Sequence, residues 1–212
     1  MARRRSTRDA VVQDVVTMAL RQRRNRGVWI AVALLVVVGS AVWSHFRNPA
    51  DPSKWDGQSV IVRRVVDGDT IVVDGPGMEN EHVRLRGVDA PEVAHGGQPD
   101  MHFGPQAKQY LAGRLTGKPI TLKFDGTEKR DRYQRLLGYV YLDETDCVNV
   151  ALVRDGMAYV DRRFKTMLQS QLEQSETQAR NKGVGLWKDV TTEQQPPWRQ
   201  KWLEKTLSRP KQ

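Results

Sequence analysis

The stretch Val65–Glu92 decides the fold. It begins Val65-Val66-Asp67-Gly68-Asp69-Thr70 and ends Val83-Arg84-Leu85-Arg86-Gly87-Val88-Asp89-Ala90-Pro91-Glu92. Two apolar, strand-like runs, Ser59–Val66 and Thr70–Asp74, flank Asp67-Gly68, a dipeptide typical of hairpin turns. After a turn-rich linker, a third strand is predicted over Val83–Val88. The sequence therefore predicts a three-stranded meander at the start of the folded domain.

The third strand presents two different faces. Because side chains alternate along a strand, Val83 and Leu85 share one face, and Arg84 and Arg86 share the other. The apolar face is expected to enter a core, so the two arginines are expected to line a surface site.

Three carboxylates are expected to meet beside this strand. A meander could bring Asp69, near the first turn, close to Asp89 and Glu92 at the end of the third strand. Crowded carboxylates repel one another unless a hard cation holds them. A divalent cation, a carboxylate that orients water and Arg84 gripping a phosphate with two N–H groups form a phosphodiester-cleaving set. The alternative interpretation is a common Asp-Gly turn followed by a solvated loop.

Four segments together resemble the staphylococcal nuclease (thermonuclease-like) family: Val65–Glu92, Arg130–Arg135, Ala151–Gly156 and Ser175–Trp187. The resemblance runs from about Val60 to Trp187. It implies an α+β fold that is mainly β, a five-stranded OB-fold barrel with three helices. It also implies hydrolysis of DNA and RNA with calcium, displacement of the 5′ oxygen and a 3′-phosphate product.

The resemblance also implies roles for individual residues. The implied metal ligands are Asp69, Asp89 and the backbone carbonyl of Ala90, where the family often has threonine. The implied catalytic residues are Arg84, Glu92 and Arg135, with Glu92 either orienting or deprotonating water. Arg132 and Tyr133 match positions that border the bound nucleotide, and Arg86 is predicted to add affinity for phosphate.

The remaining elements of the domain follow from apolar periodicity and turn residues. Helices are predicted over Gly104–Leu115, Val148–Gly156 and Leu168–Lys182, and two further strands over Pro119–Asp125 and Leu136–Leu142.

The distribution of charge and the cysteine content limit what the composition implies about nucleic-acid binding and about disulfides. Residues 1–50 hold nine arginines against Asp9 and Asp14, whereas the remaining 162 residues hold 25 basic and 23 acidic groups. The net charge of +9 therefore reports mainly the N-terminus and is not a nucleic-acid footprint. The single cysteine, Cys147, excludes an internal disulfide.

The N-terminal region is predicted to be a membrane anchor. Gly27–Trp43 is an uncharged run of 17 residues with tryptophans near both ends, and eight arginines precede it. The arginine asymmetry predicts a cytosolic N-terminus and a nuclease domain on the other side of the membrane. The alternative is a signal peptide cleaved near Gly39–Ala41, which would give a secreted protein.

These patterns divide the chain into five segments. They are a basic cytosolic segment (1–26), a transmembrane helix (27–44), a linker (45–58), the nuclease-like domain (59–188) and a tail (189–212). In the tail, Trp198 and Trp202 lie one helical turn apart, where they could stack on bases or dock onto the domain.

The sequence thus predicts a membrane-anchored, calcium-dependent nuclease. Its expected partners are nucleic acid as substrate and a membrane through residues 27–44, and no stable protein partner is evident. One alternative is a catalytically silent OB-fold module that binds nucleic acid or protein at a membrane. Another is an anchored scaffold whose tail tryptophans bind a protein.

Overall fold

The computed structural model describes residues 51–94, 96–126 and 128–208. The predicted basic segment, the transmembrane helix, the first part of the linker and the last four residues of the tail lie outside the described residues. Within the described ranges, none of the helices has the length and apolar character needed to span a bilayer.

A closed five-stranded barrel forms the centre of the domain, as predicted. Its strands are β1 (Ser59–Val65), β2 (Thr70–Gly75), β3 (Met78–Leu85), β5 (Pro119–Lys123) and β6 (Leu136–Tyr141). The order around the barrel is β1-β2-β3-β6-β5, and every neighbouring pair is antiparallel except β3 and β6. A separate two-stranded sheet pairs β4 (Val88–Asp89) with β7 (Tyr159–Val160).

The predicted third strand, Val83–Val88, is divided in the structure. β3 starts earlier, at Met78, and ends at Leu85, and a turn at Gly87 leads into β4. Gly87 has φ +80°, and a Cβ there would come within 2.8 Å of the Leu172 side chain. Glycine adopts this backbone conformation without steric cost, so the turn re-aims the chain and places Asp89 in the second sheet.

Alternation along β3 separates the core from the site. Val83 and Leu85 are fully buried inside the barrel, whereas Arg84 and Arg86 line a cleft on its outside. Removing a leucine-sized side chain from water contributes about 2 kcal/mol, so this inward face fixes the strand register and, with it, the positions of both arginines.

The described residues contain four α-helices rather than the three predicted. They are α1 (Gly104–Leu115), α2 (Val148–Arg154), α3 (Gln169–Lys182) and α4 (Pro197–Leu207). The first three agree with the prediction to within two residues at each end. α1 packs on the barrel through Ala107, Leu111 and Leu115, which recur every four residues and are all buried.

The fourth helix, α4, docks onto the domain through a buried arginine. Arg199 is only 1 % exposed, and its Nη1 donates to Glu176 Oε1 of α3 at 2.9 Å. Its Nε donates to Gln195 Oε1 at 2.9 Å, and its guanidinium lies over the rings of Tyr159 and Trp187. The C-terminal segment therefore packs on the domain, and the rings of Trp198 and Trp202 lie beside Arg163 and Arg162.

Candidate active site

A cleft of about 770 Å³ opens on the outer face of β3. It is bounded by the β1–β2 turn, β4, the loop before β6 and the segment after β7. The lining includes all eight side chains predicted to act: Asp69, Arg84, Arg86, Asp89, Glu92, Arg132, Tyr133 and Arg135.

Asp69 is the most buried carboxylate of the cleft, with 4 % of its surface exposed. Its Oδ2 accepts the Ala90 N–H at 2.7 Å, and its Oδ1 accepts the Thr70 hydroxyl at 3.1 Å. Gly68 allows this close fit, because a Cβ at position 68 would come within 2.5 Å of the Ala90 Cβ. The hairpin turn thereby brings Asp69 against the residue that follows Asp89.

Burial also changes the protonation equilibrium of this carboxyl group. Burial raises the pKa of Asp69 well above its ordinary value, and the charges of Asp67 and Asp89 raise it further, while Arg84 opposes them. The ionised form of Asp69 is therefore costly in the metal-free protein, chiefly because the carboxylate is withdrawn from water and secondarily because like charges lie nearby.

Arg84 joins the two predicted metal ligands. Its Nη1 lies 2.7 Å from Asp69 Oδ2, and its Nη2 donates to Asp89 Oδ1 at 2.8 Å. A further bond from Nη1 to the Val88 carbonyl, 2.9 Å long, fixes the guanidinium against β4. Burial alone would lower the Arg84 pKa, but Asp69 and Asp89 raise it above its ordinary value, so the cation persists at every working pH.

Asp89 accepts hydrogen bonds from three separate parts of the chain. Besides Arg84, Arg163 Nη2 donates to its Oδ1 at 3.1 Å, and Trp198 Nε1 donates to its Oδ2 at 2.8 Å. Neither Arg163 nor Trp198 was predicted to belong to the site, because each comes from a segment whose position depends on tertiary docking.

Glu92 is more exposed than the two aspartates, although the walls of the cleft partly surround its carboxyl group. Within residues 51–94, 96–126 and 128–208, its carboxylate has no hydrogen-bond or ion-pair partner. Partial burial of the carboxyl group raises its pKa above the ordinary value, and Asp67 adds to that effect. A free carboxylate with a raised pKa has the properties required of a group that orients or deprotonates water.

Arg135 enters the cleft from the residue before β6. Its Nε donates to Asp131 Oδ2 at 2.8 Å, and its Nη1 reaches the Thr70 hydroxyl at 3.4 Å. Asp131 Oδ1 also accepts the backbone N–H groups of Tyr133 and Arg135, at 2.9 and 3.0 Å. Asp131, which no motif in the sequence marks as functional, thus organises the loop that aims Arg135.

The three predicted substrate-binding residues lie at different depths. Tyr133 is 65 % exposed, and the Arg132 guanidinium lies 4.7 Å from its ring centroid at the rim of the cleft. Arg86 lies deeper and forms an ion pair with Asp125 at 2.7 Å, so an internal carboxylate already balances its charge. A phosphate would compete with Asp125 for Arg86, which makes Arg132 the more available cation for a ligand.

The oxygen donors of the cleft fit a hard divalent cation. Asp67, Asp69, Asp89 and Glu92 line it together, and the repulsion among them contributes to the raised pKa of Asp69. Among the described residues, no three His, Cys, Asp or Glu side chains form a metal-binding cluster by themselves. The carboxylate oxygens supply the donor chemistry that such a cation prefers, and an open cleft leaves positions for water and substrate.

A closed barrel whose outer face carries paired arginines and aspartates defines an OB-type domain equipped for phosphate chemistry. The family described as "Staphylococcal nuclease homologue" matches residues 82–189. Thermonuclease of Staphylococcus intermedius is 32% identical over 165 residues, which cover 74% of this chain and 93% of that protein. Micrococcal nuclease of Shigella flexneri is 31% identical over 182 residues, covering 82% and 89%.

The chain therefore belongs to the staphylococcal nuclease family, and it is a hydrolytic nuclease of that type. Nucleases of this family depend on metal in general, and their substrate is nucleic acid. The enzyme is thus favoured over the catalytically silent binding module.

Proposed function

We propose that this protein is a calcium-dependent nuclease that hydrolyses phosphodiester bonds of DNA and RNA. The observation that carries the proposal is the bridge from Arg84 to Asp69 and Asp89, in a cleft where Glu92 has no partner among the described residues. One cleft thus combines candidate cation ligands, a phosphate-binding arginine and a free carboxylate.

The cation would be held by the carboxylates of Asp69 and Asp89 and by the Ala90 carbonyl. When bound, calcium supplies a Lewis acid that offsets the negative charge of the phosphate. Oxygen-only donors of mixed charge are the ligands that calcium prefers.

The side chains of the cleft would perform the remaining steps. Glu92 orients or deprotonates a water molecule, whose oxygen forms the new bond to phosphorus while the bond from phosphorus to the 5′ oxygen breaks. The 5′ oxygen leaves as a hydroxyl group by taking up one proton, which balances the proton that the attacking water gives up, and the phosphate stays on the 3′ side. Arg84 and Arg135 stabilise the charge that grows on the phosphate oxygens. Arg132 and Tyr133 border the nucleotide at the rim.

We also propose that the nuclease domain is tethered to a membrane and faces away from the cytosol. The support is the apolar run over residues 27–44 and the eight arginines before it. A nuclease in that location would meet nucleic acid outside the cytosol.

Digestion of plasmid DNA and of RNA by the purified full chain tests the catalytic proposal. Both substrates should be cleaved with calcium and spared with chelator. Glu92→Gln should lose most of the activity, whereas Arg154→Ala, which changes an exposed ion pair with Asp155, should retain it. Undiminished cleavage in chelator would overturn the calcium dependence. Cleavage of DNA alone or of RNA alone would overturn the proposal that the enzyme hydrolyses both.

A further inference from the structure

A tryptophan of the C-terminal helix reaches the centre of the site. Trp198 lies in the first turn of α4, and its Nε1 donates to Asp89 Oδ2 at 2.8 Å across 109 residues of sequence. The ring is half-buried, so the contact is partly shielded from water. A structural element outside the barrel therefore touches a predicted metal ligand directly.

Arg163 completes the contact from the other side. Its guanidinium lies 4.9 Å from the Trp198 ring centroid, and its Nη2 donates to Asp89 Oδ1 at 3.1 Å. Two further bonds, from Nε and Nη2 to the carboxylate of Asp161, 2.8 and 2.9 Å long, hold the same guanidinium. Arg163 and Trp198 thus form a stacked pair that contacts both oxygens of Asp89.

The neighbouring residue holds this pair in place. Arg199, buried against Glu176 and two aromatic rings, anchors α4 one residue after Trp198. Because Trp198 and Arg199 are consecutive residues of one helix, the buried Arg199 limits where the Trp198 indole can lie. The position of the Trp198 N–H is consequently set by the fold rather than by a mobile tail.

The hydrogen bonds at Asp89 leave room for one more ligand. A carboxylate offers about four lone-pair positions. Arg84 and Arg163 occupy two on Oδ1, and Trp198 occupies one on Oδ2. Among the residues that the structure describes, none occupies the fourth position, on Oδ2, and the three donors fix the plane in which it points.

We propose that Trp198 and Arg163 are positioning residues, which orient the Asp89 carboxylate so that the open lone pair of Oδ2 faces the cation. This inference rests on the proposed role of Asp89 as a calcium ligand. Groups that hydrogen-bond a ligating side chain fix its orientation, and their loss weakens metal affinity about 10- to 100-fold. The C-terminal helix is then a component of the active site and not an appendage.

Calorimetric titration of the full chain with calcium, without substrate, provides the test. Trp198→Phe keeps the ring beside Arg163 but removes the N–H, so its calcium affinity should fall about 10-fold or more. Trp202→Phe is the matched control, because Trp202 contacts Arg162 and Arg199 through its ring face, a contact that phenylalanine also makes. Its calcium affinity should equal that of the wild type, and melting in chelator verifies that both variants fold.

Arg163→Lys gives a second measurement that does not depend on the indole. The side chain is 41% exposed, so the change should leave the fold intact. Lysine keeps the charge, but it lacks the planar guanidinium that donates to Asp161 and Asp89 at the same time, so calcium affinity should again fall. For both variants, the calcium concentration for half-maximal cleavage should rise with the dissociation constant, while cleavage at saturating calcium recovers.

The outcomes separate this inference from the proposed function. Calcium affinity that is unchanged in Trp198→Phe and Arg163→Lys would overturn the positioning role and leave the nuclease proposal intact. Tighter binding would also overturn it, because it would show that the helix competes with the cation for Asp89. A wild-type chain that cleaves nucleic acid but binds no calcium would overturn the proposed metal, and the inference with it.

Discussion

Arg135 is the residue whose removal should separate chemistry from binding. Its guanidinium is held by Asp131 and reaches Thr70 in the same cleft as Arg84. Interactions that strengthen toward the transition state raise turnover rather than affinity. Arg135→Ala should therefore lose ~100–1000-fold in single-turnover cleavage of a short labelled DNA, with little change in binding measured separately.

Two variants control for the loss of charge at position 135. Arg135→Lys should restore little activity, because a point charge cannot reproduce the two-pronged guanidinium contact. Arg132→Ala, on the exposed rim of the same loop, should instead weaken binding and reduce its salt dependence by about one charge. Near wild-type turnover by Arg135→Ala would remove this residue from the mechanism.

Asp69 should make the metal-free protein less stable as the pH rises. Its pKa in the folded state is raised well above 3.8 by burial, so the folded state binds the proton more tightly than the unfolded state. Stability in chelator should thus decline as the pH rises from the ordinary aspartate pKa to the raised one. Asp69→Asn should be more stable than the wild type at neutral pH in chelator and should lose most of that slope.

Calcium should reverse the order of stability of the wild type and Asp69→Asn. A ligand that binds only the folded state stabilises it by mass action, so calcium should raise the melting temperature of the wild type. The Asp69→Asn and Asp69→Ala proteins should respond far less. Equal calcium shifts in wild type and Asp69→Ala would show that the ion binds elsewhere.

Residues of the site differ in how readily sequence reveals them. Asp69, Arg84 and Asp89 fall within one stretch whose turn and strand pattern already place them together. Arg163 and Trp198 have no such local signal, since their contacts depend on how the segments after β7 and α3 dock. Arginine and tryptophan side chains in such segments could equally well face solvent, so only the three-dimensional fold assigns them to Asp89.

At the scale of elements, the docking of α4 should depend strongly on one side chain, that of Arg199. Arg199→Met removes one partner of the buried pair with Glu176, whose side chain is 2% exposed. Glu176 keeps its bonds to Arg162 and to the Val160 N–H, so its buried charge is left only partly compensated. The free energy of unfolding in chelator should therefore fall by about 1–3 kcal/mol, less than for a fully unpaired buried charge. Arg154→Ala, which removes an exposed pair with Asp155, should cost at most about 1 kcal/mol. Denaturant titration followed by tryptophan fluorescence measures both.

The double variant Arg199→Met with Glu176→Gln distinguishes a charge effect from lost packing. Glu176 also accepts the Val160 N–H and an Arg162 bond, which glutamine can keep only in part. Removing both charges should cost less than the sum of the single changes, because the carboxylate that loses its Arg199 partner is removed as well. Additive losses would indicate that the arginine acts through its stacked rings alone.

Elements were predictable where local chemistry and tertiary packing agree. Helix α1 begins at Gly104 with Pro105 in its first turn and carries an apolar face at helical spacing, so both criteria indicate the same helix. The third strand was predicted too long because its apolar alternation continues past Gly87, whose turn is set by the fold. Helix α4 was missed because its polar composition gives no apolar stripe, and a buried arginine supplies the docking contact instead.

At the scale of the whole molecule, charge is divided unevenly. The first 50 residues carry a net charge of +7, and the remaining 162 carry +2. A nearly balanced nuclease domain has little long-range attraction for a polyanion, so the arginines in and around the cleft must supply the local attraction. The strongly basic end is then available for the different role proposed above, in which its arginines set the membrane topology.

This charge distribution makes a prediction about where the C-terminus lies. If residues 27–44 cross the membrane with the arginines on the cytosolic side, a reporter fused after Gln212 should be accessible only from the opposite side. Carbonate washing should leave the intact protein in the membrane fraction. Substituting the eight preceding arginines by glutamine should reduce the orientation bias without changing nuclease activity in detergent, because none of the proposed catalytic or metal-binding residues lies in that segment. Release of a shortened soluble enzyme would favour the cleaved signal peptide, and a protease-protected reporter on the cytosolic side would contradict both.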